Sequence, residues 1–252
     1  MARRATLLHQ VRDGLPPDAI LLQVAGPYEF LEPGDAEAPA GTARPMAAAL
    51  ARLAPDVLCL APEEADMLSR SGLALPQGAV VLSGAPQTRV VSRSGLRLGL
   101  VFFPVTGKPG AEPEAKARAA VVAAAREMRG AADLIVGISP WGSMAEEAFL
   151  NANPDAFDVL LGAGHGFGTA AMPQPTPRTL WARSHTKGRT VGRLDITLPV
   201  KKTDAPWLVG ENHRAELLNP DYKVLDDPDI AALAPGTPTV AAAPPPAATA
   251  TP

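Results

Sequence analysis

Phe157-Asp158-Val159-Leu160-Leu161-Gly162-Ala163-Gly164-His165-Gly166-Phe167-Gly168 is the stretch on which the fold turns. Phe157 to Leu161 is a short, almost wholly apolar run, as expected of a strand buried on both faces. The glycines after it predict a loop at the strand's end. Such a loop can hold an anion on its backbone N–H groups. The Lys-Ser/Thr ending of a P-loop is absent, however, and no helix clearly follows. A tight turn is the better explanation of the glycines.

Outward from this stretch, strands and helices alternate. Leu134 to Ile138 is a second continuous apolar strand, and 143–152 reads as the helix between the two. The clearest helix is 113–129: Pro113 suits its start, Val121, Ala124, Ala125 and Met128 share one face, and Gly130 follows its end. Earlier come β-rich runs at 79–83, 88–93 and 97–103, the last two joined around Gly95 as a hairpin. Asp56 to Leu60 predicts a strand leading to a helix over 62–71. Pro62 opens that helix, and Glu63 and Glu64 are favourable charges in its first turn. A helix at 45–53, a strand over Ala19–Ala25 stopped by Gly26-Pro27, and an amphipathic helix at 3–13 complete the N-terminal part. Downstream, Gly192 to Leu198 is the last strand. Residues 200–234 are mixed polar and are expected to wrap the domain, with a short helix near 227–233. From Pro235 to Pro252 the chain is Pro/Ala-rich, a composition that cannot bury a core and predicts disorder or polyproline II. Strands alternating with helices around a central hairpin predict an α/β layered domain.

With 252 residues, 46% of them hydrophobic, the chain can bury a full core, but only 4% are aromatic, so Ala, Val and Leu are expected to fill it. A net charge of −3 argues against nucleic-acid binding. The single cysteine, Cys59, lies among apolar neighbours and reads as inert packing. No stretch is long and apolar enough to span a bilayer. Taken as written, the chain is expected in the cytoplasm; with an upstream segment, the periplasm is the alternative.

Several segments, in order over about 2–198, resemble the N-terminal domain of 5′-nucleotidases and UDP-sugar hydrolases, a branch of the calcineurin-like metallophosphoesterases. Ala2 to Leu8 is similar to the family's first helix. Leu21-Leu22-Gln23-Val24-Ala25-Gly26-Pro27 falls where the family has a strand ending in Ala-Gly-Asp, and Asp56 to Glu64 where a strand ends in Gly-Asn-His-Glu. Ala132 to Gly142 resembles the segment ending Ser-His-Leu-Gly. Phe157 to Phe167 resembles Ile-Asp-Leu-Ile-Leu-Gly-Gly-His-Ser-His, and Lys187 to Asp195 the closing Gly-Lys-Tyr-Val-Gly-Arg-Leu-Asp. The resemblance implies an αββα sandwich over residues 1–199, lacking its first strand.

In that family two divalent metals at the strand ends activate a water. Coordination lowers the water pKa from about 15.7 to about 7, worth about 11 kcal/mol. Here the bridging Asp position is Pro27, the Asn and His positions are Pro62 and Glu63, and the next His position is Pro140. His165 matches the first His of the last motif, and Phe167 stands at its second. Proline and phenylalanine offer no donor atom. The resemblance therefore implies a retained scaffold with an emptied site, no catalytic residues and no cofactor.

Glu63, Glu64, Asp66 and His165 are the weak candidates for a rebuilt metal site. A manganese or zinc pair belongs only to the alternative, a phosphohydrolase of nucleotides or sugar nucleotides whose site is rebuilt or completed by a partner. His9, His185 and His213 read as surface residues. Trp141 either fills the vacated cleft or is an exposed contact. The family's first strand, which carries Asp-x-His, has no counterpart from Met1 onward; its loss would expose strand edges and leave a groove. Either Met1 is an internal start or another chain supplies a strand. A protein partner is expected at the emptied cleft or the exposed edge.

Overall fold

The computed structural model describes residues 1–35, 37–38, 41–108, 110–174, 176, 178–185, 188–198 and 205–234. The Pro/Ala-rich segment 235–252 lies outside them.

Period-2 alternation within the strands creates the layers. Strand β2 (Val57–Leu60) points Val57 and Cys59 to one side and Leu58 and Leu60 to the other. The second pair meets α2 (Ala43–Leu53) and α3 (Pro62–Arg70) through Leu50, Met67 and Leu68. β2 is central in a parallel sheet between β1 (Val24–Ala25) and β3 (Ala79–Val81). A second sheet has the order β4 (Gln87–Arg93), β5 (Leu96–Phe102), β6 (Leu134–Ser139), β7 (Val159–Gly162), β9 (Leu180–Arg183), β8 (Thr169–Pro173). β5, β6, β7 and β9 run parallel, and the two edge strands are antiparallel.

Alternation sorts this second sheet as well. Leu98, Leu100, Phe102, Leu134, Val136 and Ile138 meet Val57 and Cys59 between the sheets. Val101, Phe103, Ile135 and Leu160 face α4 (Ala115–Met128) and α5 (Ser143–Ala152). The layers are thus helix, sheet, sheet, helix, as the resemblance implies. The few aromatics are concentrated: Phe103 lies 4.7 Å from Trp141 and 5.3 Å from Phe149 and Phe157, between ring centroids. Each such pair adds about 0.5–1.5 kcal/mol beyond burial.

Where the structure departs from the sequence reading, non-local pairing is the reason. β8 and β9 lie in a proline-interrupted stretch with no strand signature, yet each pairs along the edge of the six-stranded sheet. The polar stretch after 200 contributes a strand, β11 (His213–Leu218), antiparallel to β10 (Val191–Ile196), and the short helix α6 (Pro228–Ala231) packs Ile230 against Ala5, Ala49 and Leu53. Helix α1 (Ala2–Asp13) adjoins the same cluster through Ala5. The predicted strand 19–25 shrinks to Val24–Ala25, and Ile20 to Gln23 stay only half-buried. The hairpin turn is confirmed: Ser94 and Gly95 both have positive φ, +47° and +85°, the pattern of a type I′ turn between Arg93 and Leu96.

Cys59 is fully buried, and burial pushes its thiol up to about 12. His213 is not a surface residue. It is 1% exposed, edge-on to Trp207 at 5.8 Å, and its Nε2 has no hydrogen-bond partner among the described residues. Burial holds its pKa below the ordinary value. The unfolded chain then takes up the proton first, so stability is present above about pH 6.5 and is lost as pH falls through the folded value. Urea unfolding from pH 8 to pH 5 is expected to show this decline, and His213→Phe, which keeps the ring contact, is expected to flatten it.

Candidate functional site

The parallel strands of both sheets end at one rim, the usual place for a site in a parallel sheet. Loops after β1, β2, β5, β6, β7 and β9 form it, carrying Pro27, Pro62, Pro104, Pro140, His165 and His185. The two sheets approach closely there: a Cβ on Gly26 would stand 3.4 Å from that of Ala163.

Pro27 and Pro140 are buried, and Pro62 is the first residue of α3, as expected. Glu63 and Asp66 are exposed, as is His165. Phe167 is 51% exposed and stands edge-on to Trp181 at 5.8 Å. Trp141 is buried beneath the rim; its indole N–H donates to the Pro104 carbonyl at 2.6 Å. The choice left open for Trp141 is settled in favour of packing. His9 is exposed and lies 3.3 Å from Asp227. His185 is half-buried, with Nε2 accepting the Gly168 N–H at 3.3 Å and Nδ1 beside the Thr190 hydroxyl.

Glu64 is the main correction. It is not a solvated first-turn charge but a fully buried carboxylate. It accepts backbone N–H groups from Phe30 at 2.8 Å, Ala61 at 2.9 Å, Tyr28 at 3.0 Å and Leu31 at 3.4 Å. The Ala61 bond is the return half of a capping box. Burial pushes this carboxyl up, and the four N–H donors pull against that. The segment it gathers is strained: Tyr28 has φ of +71°, a conformation that costs a non-glycine residue about 1–3 kcal/mol. Burial, with Glu63 and Glu64 adding to it, pushes the Tyr28 hydroxyl up to about 12.

The glycine-rich loop has its own anchor, which sequence reasoning missed. Arg183, 1% exposed at the end of β9, donates to the carbonyls of Ala163, His165 and Phe167 at 2.9–3.0 Å. It also pairs with Glu146 of α5, which accepts the Trp181 indole N–H at 2.9 Å. Burial pushes the Glu146 carboxyl up, against the pull of Arg183, Trp181 and Ser139. The loop therefore points carbonyls inward to a guanidinium, opposite in sense to an anion-binding nest. Its glycines serve close approach: at Gly164, φ +77°, a Cβ would stand 2.5 Å from the Pro140 carbonyl oxygen. The only sequence signal for Arg183 was the alternation in Leu180-Trp181-Ala182-Arg183, too short to stand out among prolines.

These residues do not fit a pair of divalent cations. Both Glu64 oxygens accept backbone N–H groups. Among the described residues, no cluster of three or more His, Cys, Asp or Glu could hold a metal ion. The pocket beside Tyr28, Glu63 and Glu64 measures about 10 Å³, room for a single water.

No family model matches the chain, and no curated protein matches it. Solved structures do match. A Staphylococcus aureus protein assigned as a 5′-nucleotidase and solved with α-ketoglutarate aligns with a TM-score of 0.61 and 17% identity, over 91% of this chain and 51% of its own. The 5′-nucleotidase of Candida albicans gives 0.54 and 13%, over 87% and 46%. The NAD nucleotidase of Haemophilus influenzae gives 0.53 and 12%, over 77% and 45%. The chain has the fold of the 5′-nucleotidases. It spans about half the length of each of these proteins. Within that nucleotidase fold, the rim is knit together by Glu64 and by the Glu146–Arg183 pair.

Two substitutions test this. Glu64→Gln turns an amide N–H₂ toward backbone donors and is expected to cost about 1–3 kcal/mol in urea unfolding. Arg183→Leu strands the buried Glu146 carboxylate and is expected to cost about 3–5 kcal/mol, whereas the Glu146→Leu/Arg183→Leu double variant is expected to lose less than the single one.

Proposed function

We propose that the chain is a catalytically inactive 5′-nucleotidase-like protein that acts as a structural or binding subunit, within a larger assembly. One observation carries this reading: of the matched rim positions, Pro27, Pro62, Pro140 and Phe167 offer no donor atom and only Glu63 and His165 do, while the neighbouring carboxylate Glu64 is committed to backbone N–H groups. A hydrolytic centre of this fold needs oxygen and nitrogen ligands to generate hydroxide at neutral pH. Glu63 and His165 by themselves do not make up a two-metal ligand set. Proline at three positions also removes backbone donors and fixes φ, which favours a rigid rim over an adaptable one.

In this reading no cofactor is required, and the partner is a protein rather than nucleic acid, in keeping with a net charge of −3. No helix among the described residues is long and apolar enough to cross a membrane. The competing activity is metal-dependent hydrolysis of nucleotides or sugar nucleotides in a site rebuilt or completed by a partner.

Metal analysis and phosphate-ester assays separate the two. The purified chain is expected to carry no stoichiometric metal and to give no turnover of AMP, UDP-glucose or bis(p-nitrophenyl) phosphate with added manganese, zinc or cobalt. Metal-dependent turnover that disappears in His165→Ala would overturn the proposal.

A further inference from the structure

The six-stranded sheet has two outer edges, and they are built differently. At one of them β8 carries a register shift between Thr169 and Met172 and ends in Pro173. Irregularity and proline are common ways of keeping an edge from pairing with another chain. At the other, β4 runs for seven residues in unbroken register with β5, without proline.

The hairpin fixes which backbone groups of β4 are already used. Its two-residue turn makes Arg93 and Leu96 a hydrogen-bonded pair, and Val91 with Leu98, Arg89 with Leu100 and Gln87 with Phe102 follow in step. Arg97 shows the same parity from the other side of β5. Its N–H donates to the Asp133 carboxylate and its carbonyl accepts the Asp133 N–H, both at 2.8 Å, toward β6. Thr88, Val90 and Ser92 therefore direct their N–H and C=O groups away from β5. Among the described residues nothing accepts these three N–H groups. All three residues are exposed, Val90 by 44%.

The arginines of β4 are engaged by their own chain. Arg93 pairs with Asp56 at 2.9 Å, and Arg89 lies over the Phe102 ring of β5 at 5.9 Å. They also select the occupant of the edge and its register. When β4 pairs antiparallel with a second β4, outward residues must meet outward residues. Centred on Val90, Val90 faces its own copy, Thr88 faces Ser92, Arg89 faces Val91 and Arg93 faces Gln87. Each outward pair exchanges two hydrogen bonds, about six in all. A slip of two residues either way sets Arg89 against Arg89 or against Arg93 and keeps only about four bonds. Like charges directly opposite destabilise a sheet. Both terms favour the same register. The segment 235–252 offers no rival strand, since its longest proline-free runs are five residues.

We infer that β4 is a self-association edge: two copies of this chain join their six-stranded sheets by antiparallel β4 pairing about a two-fold axis at Val90. This gives the structural-subunit reading a partner, a second copy. The inference draws on β4 alone, so its failure leaves the turnover assay untouched, and turnover would leave the dimer standing.

Sedimentation of the full chain from about 1 to 100 µM is expected to show a monomer–dimer equilibrium. Val90→Pro removes the central outward donor and spares the β4–β5 ladder, so it is expected to fold and to stay monomeric. Val90→Lys, for use if the first variant does not fold, places like charges on the axis and is expected to weaken the dimer about tenfold or more. Cysteine pairing reads the register. Under mild oxidation a mixture of Thr88→Cys and Ser92→Cys chains is expected to crosslink. Thr88→Cys by itself stands about 14 Å from its own copy and is expected not to. The native Cys59 is fully buried and does not interfere. A monomer across the whole range would overturn the inference. So would a dimer that survives Val90→Pro or Val90→Lys, or crosslinking of Thr88→Cys alone as fast as the mixture.

Discussion

Backbone polar groups that leave the ends of buried strands have no water to turn to, and each must find a partner inside the protein. At the rim of this fold two buried side chains, Glu64 and Arg183, provide such partners. Glu64 takes up N–H groups of the segment after β1, and Arg183 takes up carbonyls of the loop after β7. The signs are complementary: a carboxylate gathers donors and a guanidinium gathers acceptors. Glu146 then balances Arg183 in a site that water does not reach. Because each charge sits away from water, removing one partner costs more than the pair itself contributes.

The same arrangement explains how strand ends that offer so few ligands can stay ordered. Proline at the turn positions fixes φ and removes donors that would otherwise need satisfying. Trp141 occupies space beneath the rim and closes the aromatic cluster of Phe103, Phe149 and Phe157.

Much of the fold was legible because it is written in local patterns. The continuous apolar runs at 57–60 and 134–138, the Ser94-Gly95 turn and the alanine-rich helix 115–128 need only their own residues and neighbours to be read. β8, β9 and β11 were not legible, because each owes its conformation to a strand distant in sequence. His213 reads as a surface residue until β11 docks on β10 beside Trp207. Glu64 reads as an exposed charge because helix position alone does not reveal which segment folds over it.

The sequence by itself determined the apolar strands at 57–60 and 134–138, the helices after them and, through the family resemblance, the residues standing at the rim: Pro27, Pro62, Glu63, Pro140, His165 and Phe167. Side-chain chemistry and period-2 patterning are local properties, so they survive in one dimension. Only the tertiary structure decided that Glu64, Glu146 and Arg183 are buried anchors, and that β11 pairs with β10. Burial and the pairing of edges depend on segments far apart along the chain, and no spacing within either segment encodes them.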